Sequence, residues 1–278
     1  MTSISEYAKS RIIIAAHRGE AGGNIPPNTT ASYEAAVSHG ADMIEVDLNY
    51  SAEGTLWILH PGMERAHLGF DGSIRDLPDR EIRELRYVNY DRDPTQFGLC
   101  TFDEVLTRFG SRCFINVDKF IDNPKAIAAC IKARNMQDRI VVKSAPRAEL
   151  FDMMENYAPD VAYLPILGDR DEGVHEHLLG RRINYAGCEV CFTSEDSETG
   201  SAAYAEKLHR AGKLVWVNAI IYNYKKQLSA GHSDDSAFTR DPEYAWGWLA
   251  DRGYDIIQTD RTLALARFLE ETGRRYRK

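Results

Sequence analysis

Residues 38–49 read SHGADMIEVDLN: the end of a helical pattern, a glycine, and an apolar segment from Met43 to Leu48. A glycine just past the last helical residue suits a left-handed C-cap, and the run after it has the length and composition of a strand. The same arrangement recurs as HRAG before KLVWVN and as DRG before YDIIQTD. Repeated helix, glycine and strand units predict a parallel sheet with helical crossovers.

Working outward, strand-like segments lie at 11–16, 43–48, 55–60, 113–118, 139–144, 161–167, 188–194, 213–220 and 254–260. Helical patterns at 30–39, 101–109, 123–134, 148–157, 201–211 and 264–272 separate or follow most of them. Over 278 residues with no G-x-G-x-x-G fingerprint, this alternation favours a single (β/α)8 TIM barrel, spanning 1–278, over a doubly wound α/β sheet. Nine segments are one too many for a barrel, and the surplus is expected between 161 and 194. Two long polar stretches interrupt the alternation: an insertion at 61–98 after the third segment, and a loop at 221–243 before the last.

Composition narrows the class of function. Hydrophobic residues at 44% and charged residues at 27% describe a folded chain. A net charge of -8 argues against nucleic acid or an anionic membrane surface as the main partner, while leaving an anionic small molecule open. The longest early apolar run, Ile12 to Ala16, is too short for a signal-peptide core or a membrane span, so a cytoplasmic location is expected. Five cysteines, an odd number, suggest reduced thiols. Cys188 and Cys191 form a C-x-x-C, but on a strand they face opposite ways and read as structural thiols.

Polar residues collect where the strands stop. His17 and Arg18 end the first segment, Glu45 and Asp47 lie in the second, His60 ends the third, Asn116, Asp118 and Lys119 close the fourth, and Lys143 ends the fifth. Glu45 and Asp47 share one face of their strand and repel each other unless a cation lies between or beside them. Salt bridges to Arg18 or Lys119 would serve a purely structural role; a divalent ion, with Asp118 as a third oxygen ligand, would serve a chemical one. Hard Mg²⁺ or Ca²⁺ suits an all-carboxylate set. Two histidines beside such a site, with ordinary pKa values of roughly 6.5, suit phosphodiester cleavage, one as base and the other as acid. Lys143 is either a phosphate contact or a salt-bridge partner, and Trp216 either walls a substrate alcohol or fills the core. The run GHSDDSA (231–237) reads as a solvated loop.

In order along the chain, HRG (17–19), NIPPNT (24–29), E-x-D (45–47), the segment ending in His60, NVDK (116–119), VWVN (215–218) and QTDR (258–261) resemble the glycerophosphodiester phosphodiesterases. The resemblance spans residue 17 to about residue 270. It implies a phosphatidylinositol-phosphodiesterase-like TIM barrel that uses Mg²⁺ or Ca²⁺ to cleave a glycerophosphodiester. His17 and His60 would form the acid/base pair, Glu45, Asp47 and Asp118 would hold the metal, and Arg18, Lys119, Lys143 and Trp216 would meet the substrate. The chain departs from the family pattern at Pro27, where a glutamate is usual, and at His60-Pro61, where His-Asp is usual. Glu64 lies close enough in sequence to restore a carboxylate near the mouth. Within the same chemistry, attack by a substrate hydroxyl would release a cyclic phosphate. A barrel without turnover would only bind phosphorylated ligands.

Overall fold

The computed structural model describes residues 3–222 and 224–277. Its strands are β1 (Ile13–Ala16), β2 (Met43–Tyr50), β3 (Leu56–Ile58), β4 (Arg86–Val88), β5 (Pro94–Gly98), β6 (Phe114–Asp118), β7 (Ile140–Ser144), β8 (Ala162–Leu167), β9 (Gly187–Val190), β10 (Leu214–Asn218) and β11 (Ile256–Thr259). Eight of them, β1, β2 and β6–β11, pair in parallel, and the β1–β2 pairing closes the ring. This is the expected (β/α)8 barrel. Helices at Thr30–Ser38, Phe102–Phe109, Pro124–Ala133, Ala148–Tyr157, Ala202–Arg210 and Thr262–Glu271 occupy the six helical patterns of the sequence.

The surplus strand is not between 161 and 194. It is β3, which runs antiparallel to β2 with Leu48 opposite Ile58 and Tyr50 opposite Leu56. The residues from Ser51 to Thr55 are too few for a crossover between parallel neighbours, which takes about a dozen or more, so the chain can only turn back. The insertion therefore begins with this hairpin. Beyond His60 it builds its own small core from Trp57, Leu59, Leu68, Ile74, Ile82 and Tyr87, with the β4–β5 hairpin at its end.

Alternate residues of the barrel strands serve two cores. Ile44, Val46, Ile115, Val117 and Val142 face the helices, while Met43, Phe114, Val141, Leu164, Leu214 and Trp216 fill the barrel. A short helix, α1 (Ile4–Ala8), inserts Ile4 and Ala8 into this interior cluster. The two-residue period therefore turns Glu45, Asp47, Asn116 and Asp118 inward, with Glu45 paired to Asn116 and Asp47 to Asp118 across β2 and β6. Within the 221–243 loop, residue 223 lies outside the described residues; the loop carries a helix at Asp234–Thr239.

Candidate active site

The C-terminal ends of the barrel strands open into one cleft of about 140 Å³, lined by His17, Arg18, Glu45, His60, Asp118, Lys119 and Lys143, with Glu189, Asn218, Tyr222 and Gln258 opposite. Eight of the nine expected site residues lie in or just beneath this mouth; the ninth, Trp216, is deeper.

β1 ends at Ala16, and the chain then passes through left-handed backbone at Arg18 (φ 56°) and Gly19 (φ 82°). This turn aims the Arg18 amide at Glu45 Oε2 (2.9 Å) and sets its Nε 2.9 Å from Asp47 Oδ2. A Cβ at Gly19 would lie 2.7 Å from the Ser32 carbonyl carbon, so both the backbone sign and the space require glycine. The following loop brings in Asn28, fully buried, whose Nδ2 donates to Asp47 Oδ2 (2.8 Å) while its Oδ1 accepts from the Tyr33 hydroxyl (2.8 Å). Asn28 is thus the member of NIPPNT that meets the inward carboxylates directly.

Glu45, Asp47 and Asp118 place ligand oxygens within 4.8 Å of one another. One oxygen of each is already held: Glu45 Oε2 by the Arg18 amide, Asp47 Oδ2 by Asn28, and Asp118 Oδ2 by the Lys119 ammonium at 2.5 Å. Asp47 Oδ1, fully buried, has no hydrogen-bond partner, though Lys119 Nζ lies 3.8 Å away. An oriented trio of oxygen donors with a buried acceptor left over fits a hard divalent cation. Burial, and then the charge of Asp47, push the Glu45 carboxyl up to about 7. Burial acts in the same direction on Asp118, but the Lys119 ammonium outweighs it and holds that carboxyl low.

On a continuous strand Lys119 would point away from Asp118. Instead its left-handed backbone (φ 63°) ends β6 and swings the side chain back over the mouth. That conformation explains how a lysine directly after Asp118 still meets the carboxylates. Asn116 lies deeper and donates to the Val141 carbonyl (3.1 Å), which leaves Asp118 as the carboxylate of β6.

The two histidines are held differently. His17 Nδ1 lies 2.9 Å from Asp260 Oδ1. Burial pulls the His17 pKa down, but the Asp260 hydrogen bond and the Glu45 charge outweigh it, and the ring's pKa is raised. His60 comes from the descending arm of the β2–β3 hairpin rather than from a barrel strand, and its Nδ1 lies 2.8 Å from the Pro61 carbonyl oxygen. A carbonyl only accepts, so Nδ1 carries the proton and Nε2 is the free nitrogen.

Asp260, unnoticed as a site residue, belongs to QTDR. Its amide is in turn held by Asp234 Oδ2 (2.7 Å), whose other oxygen accepts from Thr259 Oγ1 and Trp246 Nε1, both at 2.8 Å. The GHSDDSA stretch is therefore not simply a solvated loop: Asp234 is buried and braces the end of β11. Glu64 does not join the mouth; its Oε1 accepts from the Ile74 amide inside the insertion. Trp216 is fully buried one layer down, and Asn218, two residues on along the same face, takes the place at the mouth expected for it. Lys143 sits above the Trp216 ring and pairs with Glu189 at 2.8 Å. Glu189 was hidden in the C-x-x-C segment, where it is the inward residue. Cys188 and Cys191 do face opposite ways, Cys188 toward the Tyr185 hydroxyl and Cys191 toward Asn218, and both are free thiols.

A family model described as a domain of unknown function matches residues 163–269. Over 151 residues the chain is 24% identical to a glycerophosphodiester phosphodiesterase of Caldanaerobacter subterraneus subsp. tengcongensis, covering 51% of this chain and 62% of that one. It is 36% identical over 110 residues to a glycerophosphodiester phosphodiesterase of Bacillus subtilis, covering 36% and 37%. The matched stretches thus span less than two thirds of the length of these curated relatives. A glycerophosphoryl diester phosphodiesterase from Parabacteroides distasonis superposes with a TM-score of 0.79 at 13% identity, covering 98% and 93%. A phosphodiesterase of Oleispira antarctica, solved with its product sn-glycerol-3-phosphate, gives 0.70 at 18%, covering 97% and 100%. The resemblance read from the motifs is borne out: the chain is similar to the glycerophosphodiester phosphodiesterases in sequence and in fold, as a divergent relative.

Proposed function

We propose that this protein is a metal-dependent phosphodiesterase that hydrolyses a glycerophosphodiester, or a related glycerol or sugar phosphodiester, to an alcohol and a phosphomonoester. The reading is carried by one observation: two histidines with unlike partners line one cleft with an oriented carboxylate trio. His60, with Nδ1 on the Pro61 carbonyl and Nε2 left to accept, suits the base that takes a proton from the attacking water. His17, whose raised pKa favours the doubly protonated ring with Nδ1–H on Asp260, suits the acid that protonates the leaving oxygen from Nε2–H. Arg18 and Lys119 flank the carboxylates and offset the phosphate charge. Mg²⁺ or Ca²⁺ held by Glu45, Asp47 and Asp118 would stabilise charge on the non-bridging oxygens.

The test is phosphomonoester release from glycerophosphodiesters with Mg²⁺, Ca²⁺ or EDTA, run in ¹⁸O-labelled water. Metal-dependent turnover with label in the first product is expected, falling about 100- to 10,000-fold in His17→Ala and in His60→Ala. Unlabelled cyclic phosphate would mean attack by a substrate hydroxyl instead. A folded, metal-binding protein that turns over no diester would be a ligand-binding barrel.

A further inference from the structure

The His17 backbone is fixed by the barrel, since Ala16 pairs with Thr259 across β1 and β11 and the His17 amide donates to the Thr259 carbonyl (3.0 Å). Its ring depends on a less secure partner. The Asp260 side chain that meets Nδ1 is 49% exposed, and among the described residues its carboxylate has no other hydrogen-bond partner. The direction of that carboxylate is therefore set by its backbone. Asp260 stands just past the end of β11, where strand pairing has stopped.

Two side chains take over where the pairing ends. Asp234 Oδ2 accepts from the Asp260 amide (2.7 Å), and its Oδ1 accepts from Thr259 Oγ1 (2.8 Å), which in turn accepts from the Arg261 amide (2.9 Å). Two successive N–H groups are thus held by one carboxylate and one hydroxyl, both buried. Asp234 is itself seated, its amide on the Ala219 carbonyl beyond β10 (2.7 Å) and its Oδ1 on Trp246 Nε1 (2.8 Å). Burial pushes the Asp234 carboxyl up to about 6, a desolvation cost that a neutral side chain would avoid. What an ionised carboxylate supplies is acceptors alone, so every donor around it must point inward.

Resting on the phosphodiesterase reading, we infer that Asp234, working with Thr259, is a positioning residue for the acid histidine: it fixes the Asp260 backbone, and through it the carboxylate that holds His17 Nδ1. As the bond from phosphorus to the leaving oxygen breaks, His17 Nε2 gives its proton to that oxygen, and the ring is left neutral with Nδ1–H still on Asp260. A ring turned aside by a loosened Asp260 misses the leaving oxygen. The loss grows with the basicity of that oxygen: an alkoxide needs the proton, whereas 4-nitrophenolate leaves without it.

The test compares the ethyl and 4-nitrophenyl esters of glycerol 3-phosphate, with Mg²⁺ present, and reads the ratio of their kcat/KM values. In Asp234→Ala the ethyl-to-4-nitrophenyl ratio is expected to fall at least about 10-fold, in the same direction as in His17→Ala. Thr259→Val, nearly equal in volume, should lower it about 3-fold or more, and Thr259→Ser, which keeps the hydroxyl, should restore it. Equal loss on both esters, or no loss on either, would overturn the inference, since general damage to the fold or the metal site does not distinguish leaving groups. If Asp234→Ala does not fold, the two Thr259 variants decide. A ratio unmoved in His17→Ala refutes the acid role of His17 rather than the clamp, and inertness of both esters refutes the phosphodiesterase reading. In either case long-range ¹H–¹⁵N NMR of the His17 ring, assigned by its loss in His17→Ala, judges the clamp without turnover. The ring's proton-binding constant should fall at least about 3-fold in Asp234→Ala and in Thr259→Val, and parental values in both would sink the clamp.

Discussion

At the scale of single residues, what distinguishes the two histidines is the partner of Nδ1. Removing the carboxylate partner in Asp260→Asn takes away the main influence that raises the His17 pKa and leaves only the Glu45 charge against burial, which lowers it. The limb of the pH–rate profile that reports His17 should move to lower pH, with kcat down about 100-fold and KM little changed. Glu45 gives a second pH effect. Its folded pKa of about 7 lies above its ordinary value of 4.5, so its contribution to stability is complete below pH 4.5 and is lost as pH rises through 7. In EDTA, thermal unfolding should therefore shift downward by roughly 5 °C between pH 5 and pH 8, and Mg²⁺ or Ca²⁺ should restore more at pH 8 than at pH 5. A melting temperature equally insensitive to metal at both values would count against the carboxylate trio as a metal site. His17, Glu45, Asp47 and Asp118 were legible because strand alternation places them on one face. Asp260, Asn28 and Glu189 were not, because each acts through a partner that the barrel's closure or a long loop brings near. Their only traces were polar residues inside QTDR, NIPPNT and an otherwise apolar strand.

Among the elements, the β2–β3 hairpin decides where His60 arrives. An apolar run shows that a strand exists but carries no direction, so 55–60 passes for a barrel strand until the length of its connection is weighed. Trp57 anchors the descending arm, fully buried in the insertion's core with Nε1 donating to Asp79 Oδ1 at 3.0 Å. Trp57→Ala should cost about 3–5 kcal/mol in chemical denaturation and, by loosening the hairpin, should lower kcat as well. The turn after β1 is equally demanding. Gly19→Ala forces a side chain into left-handed backbone against Ser32 and should destabilise by about 2–3 kcal/mol in the same measurement. The left-handed turns at Arg18 and Lys119 left no reliable mark in the sequence, since neither residue type is favoured there. Both cations nonetheless line the cleft beside the carboxylates.

Across the whole molecule, the alternation of strands and helices was readable because each βα unit repeats the same pattern, and the barrel follows from its count. The end of the barrel opposite the mouth was not readable. There Arg275, 3% exposed, bonds to Asp42 Oδ2 (2.6 Å) and to the carbonyls of Ile12 and Gly40, and Asp42 also accepts from the Ile14 amide and the Tyr7 hydroxyl. One buried ion pair thus joins α1, β1, the approach to β2 and the segment after the last helix. Arg275→Ala strands a buried carboxylate and should cost about 3–5 kcal/mol, seen as a lower denaturation midpoint. Among the described residues, no helix is long and apolar enough to cross a membrane. The hairpin has one more consequence, for descent rather than mechanism. His60 is delivered at the entrance to the insertion, and the arm that carries it is seated through Trp57 in a core whose members Leu68, Ile74, Ile82 and Tyr87 come from the insertion itself. Any replacement of the insertion must therefore rebuild a seat for that ring, which ties the fate of a peripheral segment to the position of a side chain in the mouth.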